Sequence, residues 1–350
     1  MKILFNALLV LLPLLARAED PTPDAVERRK TIIKTYDVTP NDALTIDNQF
    51  GAVSVSLWEK AEIRVQITIV ANASSDDRTQ AFLDAVTIDD KRSGNQIVVR
   101  TNFNQSPVSN WSLGSWKKGG DRNFVKINYE VMMPRQNALT LRNKFGNTSI
   151  PAFHAPLTVY SRYGNFSADD LTNRLTDLDI AYGKADIRTL DHAKMAVAYA
   201  DLELARVNML TLVNKFGKMR IGDVGTLDAD IDYSGAQIGT LRESGRIRLS
   251  FSGGFRIDQL PKSADKLDIK SSYSSVALPM DTNNDCNFDV TVSYGNFNYS
   301  TGSMFHFSAQ PDNSNNSRGP KLTKQYIGKT GTGSGPKVKV VSTFGNVNIK

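Results

Sequence analysis

Cysteine is nearly missing from this chain: Cys286 is the only one in 350 residues. No intramolecular disulfide can form, and a cysteine so deep in the chain cannot carry the lipid that follows a lipoprotein signal. Its reading is a partly buried structural residue, since no histidine pattern accompanies it as a nucleophile's base would. Histidine is almost as scarce. His154, His192 and His306 are too far apart to supply paired zinc ligands, and they read as surface or loop residues. No glycine-rich phosphate loop, nucleophile elbow or metal loop occurs, so no catalytic, cofactor-binding or metal residues are assigned and no cofactor is expected. After the N-terminal leader, no apolar run approaches the roughly 18 residues of a membrane helix. Segments of helical amphipathicity between the strand-like stretches are also missing, which excludes an α/β sheet. Excess charge is small: the formal +6 falls to +4 without Lys2 and Arg17. The cations are dispersed, as on solvated faces, and nucleic acid is not an expected partner.

What is present begins with a leader. Lys2, the apolar run Ala7 to Leu15 and the Ala16-Arg17-Ala18 end form a secretory signal peptide over 1–18, with cleavage expected after Ala18. The apolar run is too short to span a bilayer. The expected location is therefore periplasm, cell envelope or cell exterior.

A repeat dominates the remainder. An aromatic residue followed by a very small one recurs eleven times, at Phe50, Phe145, Tyr163, Tyr182, Tyr199, Phe216, Tyr233, Phe251, Tyr273, Tyr294 and Phe344. From Phe145 to Tyr294 the spacings are 18, 19, 17, 17, 17, 18, 22 and 21 residues. The following residue is Gly51, Gly146, Gly164, Gly183, Gly217, Gly295 or Gly345, with Ala200, Ser234, Ser252 and Ser274 in the other copies. Apolar residues precede and follow in a fixed frame, as in Leu210, Leu212, Phe216, Met219 and Ile221, or Leu267, Ile269, Tyr273, Val276 and Leu278. Alternation places these residues on one face of a strand, and the step of three after the ring demands a bend. By the same parity the rings are expected inside, packed with Leu and Ile. After Phe251 the frame slips to Phe255 and Ile257 beside Gly253-Gly254, which predicts a bulge.

So short a repeat cannot fold alone and must stack on its neighbours. The predicted fold is all-β: a single-stranded β-solenoid of 17–19 residues per coil, about 60 Å around at ~3.3 Å per residue. Thr45, Thr140, Thr158 and Thr211 fill one outward column, and Asn147, Asn165, Asn296 and Asn346 fill another, which predicts ladders along the axis. Asn143 and Asn214, two residues before their rings, suggest a shorter inward ladder.

The expected organisation is a divergent β region with the first coil over 19–137, a regular array over 138–303, a loop-rich insertion over 304–337 and a final coil over 338–350. Within the first region, Ser75-Asp76-Asp77 marks the N-cap and acidic first turn of one short helix. The final coil has no obvious cap. Either the preceding loop folds back over it or this end meets a partner.

The residues Asn48-Gln-Phe50-Gly51-Ala-Val53-Ser-Val55, the run Val131-Met-Met-Pro134 leading to Asn143-Lys-Phe145-Gly146, and Ser342-Thr-Phe344-Gly345-Asn-Val347 carry a resemblance. Over most of the mature chain, the sequence resembles the putative-adhesin family of bacterial envelope β-solenoids. The resemblance implies an exported, non-enzymatic adhesin or scaffold whose partner is a protein or glycan of the cell envelope. It transfers no catalytic residues.

Two other functions remain open from the residues. The carboxylates Asp177, Asp179, Asp186, Asp201, Glu203, Asp228 and Asp230 could serve a carbohydrate-active solenoid if gathered on one outer face. They are spread over several outward columns and interrupted by Lys184, Lys194 and Arg220, which suits a mixed solvated surface. Alternatively, the final coil could dock a sensing or assembly partner. The unusual surface feature is the loop bearing Trp111, Trp116, Lys117 and Lys118, whose rings and cations could contact a ligand or tuck against the N-terminal region. Oligomeric state is not legible.

Overall fold

The computed structural model describes residues 25–104, 123–280, 285–299, 304–311 and 322–349. The leader at 1–18 and the loop with Trp111, Trp116, Lys117 and Lys118 lie outside the described residues.

The N-terminal region contains β1 (Val26–Asp37), β2 (Ala43–Gln49), β3 (Val53–Trp58), β4 (Glu62–Ala73), α1 (Asp76–Asp84), β5 (Val86–Ser93), β6 (Gln96–Phe103) and β7 (Phe124–Pro134). Strand β4 alternates cleanly. Ile63, Val65, Ile67 and Ile69 are fully buried, and its two edges pair antiparallel with β1 and β7. Helix α1 starts at the expected cap, where the Ser75 side chain accepts a bond from the Arg78 amide and Asp76 and Asp77 fill the first turn. Strands β5 and β6 form an antiparallel hairpin.

The central region runs through β8 (Ala138–Lys144), β9 (Thr148–Ile150), β10 (Leu157–Arg162), β11 (Phe166–Leu171), β12 (Thr176–Ala181), β13 (Lys184–Ala198), β14 (Asp201–Lys215), β15 (Lys218–Asp232), β16 (Gly235–Ser250), β17 (Phe255–Gln259), β18 (Lys266–Ser272) and β19 (Val276–Leu278). Its pairings are parallel, and each joins a residue to its counterpart one repeat away. Leu141 pairs with Val159, then come Leu178, Met195, Leu212, Ala229, Ile247 and Ile269, all buried. A second buried column follows the bend, through Ile150, Ala168, Ile187, Leu204, Ile221 and Ile238. The frame residues therefore face inward as their alternation predicts. The bulge after Phe251 is also present: Gly254 takes φ +77° and absorbs the extra residue before buried Phe255 and Ile257.

The rings do the opposite of what their parity predicts. Ten of the eleven are 42–54% exposed, and Phe50 is half-buried. All eleven have positive φ, between 50° and 66°. Alternation of faces holds only while the backbone stays extended, and one left-handed residue turns its side chain outward. The small residue that follows occupies the inside of the corner. A β-carbon on Gly217 would lie 2.0 Å from the Ala200 carbonyl oxygen, and one on Gly146 would lie 1.9 Å from that of Gly51. Close backbone approach, and not positive φ, is what requires glycine there.

The C-terminal region adds β20 (Cys286–Ser293), β21 (Phe297–Asn298), β22 (Phe305–Ala309), β23 (Thr323–Thr330), β24 (Lys337–Thr343) and β25 (Val347–Ile349). The final coil is not the end of the stack. Strand β24 lies parallel between β18 and β20, and β25 lies between β19 and β21. An uncapped C-terminal coil available for docking is thereby ruled out. The segment 304–337 is likewise more than loop, because it holds β22 and β23. Strand β23 pairs antiparallel with β20, and β22 pairs with β23, so the edge that β20 would expose is covered. Underneath, Phe288 packs edge-on against Phe305 and Phe307, with Phe297, Tyr299 and Tyr326 completing the cluster. Gly328 makes room for it: a β-carbon there would lie 2.7 Å from the Phe288 ring. Buried in β20, Cys286 sits 3.3 Å from the Thr330 hydroxyl, and burial pushes its thiol pKa up, away from reactivity.

Candidate functional site

Each corner is a small machine for holding an aromatic residue in a left-handed conformation. In the first two copies, the residue two before the ring is a buried asparagine. Asn48 Nδ2 donates to the Gly51 carbonyl at 3.2 Å, and Asn143 Nδ2 donates to that of Gly146 at 3.0 Å. Serine does the same in two later copies, from Ser271 to the Ser274 carbonyl at 2.7 Å and from Ser342 to that of Gly345 at 3.0 Å. Asn48 also donates to Asn143 Oδ1 at 3.1 Å, which is the inward ladder in part. Asn214 instead donates to Ser234 Oγ at 3.0 Å. Where serine follows the ring, hydroxyls accept backbone amides from the neighbouring coil: Gly217 to Ser234, Ser234 to Ser252, and Ser252 to Ser274.

The rings so held stack face to face from Phe50 through Phe145, Tyr163, Tyr182, Tyr199, Phe216, Tyr233, Phe251, Tyr273 and Phe344 to Tyr294. Centroids are 4.6–5.1 Å apart and planes are within 2–13° of parallel. Ten steps at ~4.8 Å make a stripe about 48 Å long. Holding a non-glycine residue left-handed costs about 1–2 kcal/mol, and each stacked pair returns about 0.5–1.5 kcal/mol. Stacking supports the conformation in every copy, and the side-chain hydrogen bond to the following carbonyl adds to it in four. Between its two end rings the stripe offers only ring edges to solvent, because neighbouring rings cover the faces, and a sugar ring has no face to stack on there.

Beside the stripe runs the asparagine column. The Asn165 amide donates to Asn147 Oδ1, and the Asn296 amide donates to Asn346 Oδ1, each at 3.0 Å. The threonine column is in register through Thr45, Thr140 and Thr158, then continues as Asp177, Lys194, Thr211, Asp228 and Arg246. Opposite charges alternate along much of it.

The sequence-designated carboxylates do not form one constellation. Asp179 is held by Arg162 at 2.6 Å, and Asp186 by Lys184 at 3.1 Å. Arg248 bridges Asp228 and Asp230, and its hydrogen bond holds the Asp230 carboxyl below the usual carboxylate range. Asp201 accepts from the Lys218 amide at 2.9 Å. Only Asp186 and Glu203 meet directly, as register partners on β13 and β14. They line a groove of about 720 Å³ with Asp169, Arg188 and Arg220, floored by Ala168, Ala205 and Gly222. The three histidines lie apart: His154 bonds Thr172, His192 faces Asp191, and His306 is exposed on β22.

A second groove, of about 800 Å³, was not legible in the sequence. It opens on the outer face where β18, β24, β20, β23 and β22 lie side by side, and its lining includes Lys266, Lys329, Lys337, Lys339, Asp268 and Asp289. These lysines come from three stretches of chain that only the out-of-order insertion of β24 brings together.

No family model matches the sequence, and no curated protein does. Over most of its length the chain matches solved structures of bacterial proteins. One, from Bacteroides fragilis, is described as a putative adhesin; identity is 11%, coverage is 92% of this chain and 97% of that one, and the TM-score is 0.36. A protein of Parabacteroides distasonis described as a putative adhesin matches at 12% identity over 92% and 97%, with a TM-score of 0.32. One from Clostridium sporogenes, described as a putative cell adhesion protein, matches at 13% identity over 92% and 99%, with a TM-score of 0.19.

Proposed function

We propose that the chain is an exported β-solenoid of the bacterial cell envelope that works by binding, as an adhesin or scaffold, and not by catalysis. The observation that carries this reading is the one-repeat register of the parallel pairings, which stacks short segments into an elongated body with repeated side-chain columns on its outside. Such a body is rigid and presents a long surface to a partner. Support for a non-catalytic role comes from the carboxylates. Most are neutralised by a neighbouring cation, whereas a glycosidase needs two poised on either side of one bond.

The test uses full-length protein, fluorescently labelled, against host envelope fractions and a glycan panel. Saturable retention by a fraction or glycan is the expected result, together with a scattering profile of an elongated particle. A compact profile, or retention by nothing, would overturn the reading. A carbohydrate-active alternative rests on the Asp186–Glu203 pairing within its groove. Release of new chain ends from any polysaccharide, abolished in Glu203→Gln, would favour it.

A further inference from the structure

We propose that the groove over β18, β24, β20, β23 and β22 binds an acidic glycan, an inference that rests on the reading of the chain as a binding protein.

Register places Lys266, Lys337, Asn287, Lys329 and His306 in one row across five adjacent strands. All five side chains are exposed. Four steps at ~4.8 Å span about 19 Å. Among the described residues, Lys329 and Lys337 make no ion pair, and neither does Lys339 in the next row. Lys337 and Lys329 stand along the first row with Asn287 between them, and Lys339 lies beside Lys337, so the cations spread along the groove and do not converge on a point. A single phosphate could meet one or two of them, but an extended polyanion could meet the row.

The neighbouring row decides what kind of polyanion. Asp268, Lys339 and Asp289 alternate there, in register with the first row. Asp268 is tied to Lys266 at 2.8 Å, and Asp289 accepts from Gln325 at 2.9 Å, so each keeps acceptor capacity toward the groove. Carboxylates placed between lysines accept hydrogen bonds from hydroxyl groups, which a glycan carries on every unit and a polyphosphate lacks. The Asn287 side chain can both donate and accept, and its Nδ2 already bonds the Gly333 carbonyl. Ile327, 36% exposed beside Asp289 in the second row, offers an apolar contact for the C–H face of a sugar. Nucleic acid fits less well. Single strands need free aromatic faces, and the Phe307 ring is packed among Phe288, Phe305 and Tyr299. A polymer bearing one carboxylate and several hydroxyls per unit matches this alternation.

The experiment measures binding of the full chain to polygalacturonate, with its methyl ester as the neutral counterpart, orthophosphate as a point anion and oligo-dT as a nucleic acid. The acidic polymer should bind at least about tenfold more tightly than the ester, and a Lys329→Gln, Lys337→Gln, Lys339→Gln triple variant should lose about tenfold. A Lys144→Gln, Lys194→Gln, Lys218→Gln triple variant, which removes the same charge elsewhere, should bind as wild type, with melting temperatures confirming that both fold. Added salt should weaken binding. Equal affinity for polymer and ester, an unaffected triple variant, competition by orthophosphate at matched charge, or oligo-dT binding of equal strength would each overturn the assignment. If neutral glycans or envelope fractions are retained while polygalacturonate is not, this proposal fails and the binding role stands.

Discussion

Tyr273 stacks on Phe344, 4.7 Å away, and not on Tyr294, the next ring in sequence. Tyr294 stacks on the other side of Phe344, at 4.6 Å. The last strand pair of the chain is thus driven between two earlier coils. Asp285 secures the entry to it, with Oδ1 accepting from the Thr332 amide and Oδ2 from the Thr332 hydroxyl and from Lys262 Nζ.

This insertion makes the C-terminus structurally indispensable. Deleting 337–349 should expose both β18 and β20 as open parallel edges and open the aromatic cluster beneath β22 and β23. We expect the truncated chain to aggregate or to be cleaved rapidly by protease beyond residue 280. Wild-type protease resistance in the truncation would show that β24 is a dispensable addition.

Acid should loosen the same junction. Hydrogen bonds from Lys262 and Thr332 lower the Asp285 carboxyl pKa to about 2, below the usual ~3.9 of an unfolded chain. Because the folded value is the lower one, the stabilisation is complete above about pH 4 and is lost as pH falls toward 2. Asp285→Asn should lower the melting temperature at pH 7 and shrink the difference from wild type at pH 2. A difference that is constant across that range would exclude the linkage.

The exposed rings make an unusual prediction. Tyr199→Ala should cost about 1–3 kcal/mol, from two lost stacking contacts, and not the 3–5 kcal/mol of an emptied core site. Tyr199→Gly should be no worse than Tyr199→Ala, since glycine accepts the φ of +52° without strain. Urea denaturation of the three proteins decides it. A glycine variant clearly weaker than the alanine one would mean that the left-handed corner contributes no strain.

Inside the corner the tolerance reverses. Gly217→Val should destabilise by more than about 4 kcal/mol or prevent folding, because the new atoms would displace the Ala200 carbonyl. Lys218→Ala, on the exposed face, should stay within about 0.5 kcal/mol. Similar melting shifts for the two would contradict the register.

Much of the architecture was legible because it depends on composition at fixed spacing. Leu210, Leu212, Met219 and Ile221 are buried as their frame predicts, and Ser75 caps its helix. The carboxylates scatter as their mixed surroundings suggested. The basic groove was illegible: Lys266, Lys329 and Lys337 lie up to 71 positions apart in sequence, and nothing local marks them as neighbours.

By itself, the sequence determined where the strands fall, which residues they bury and where the chain bends, because alternation and glycine's missing side chain act over a few residues. Only the tertiary structure decided that the rings face water and that the last coil lies between two earlier ones. Stacking that offsets a left-handed residue comes from the coils above and below. A strand's place in a parallel array is likewise set by which open edge it meets, not by its order along the chain.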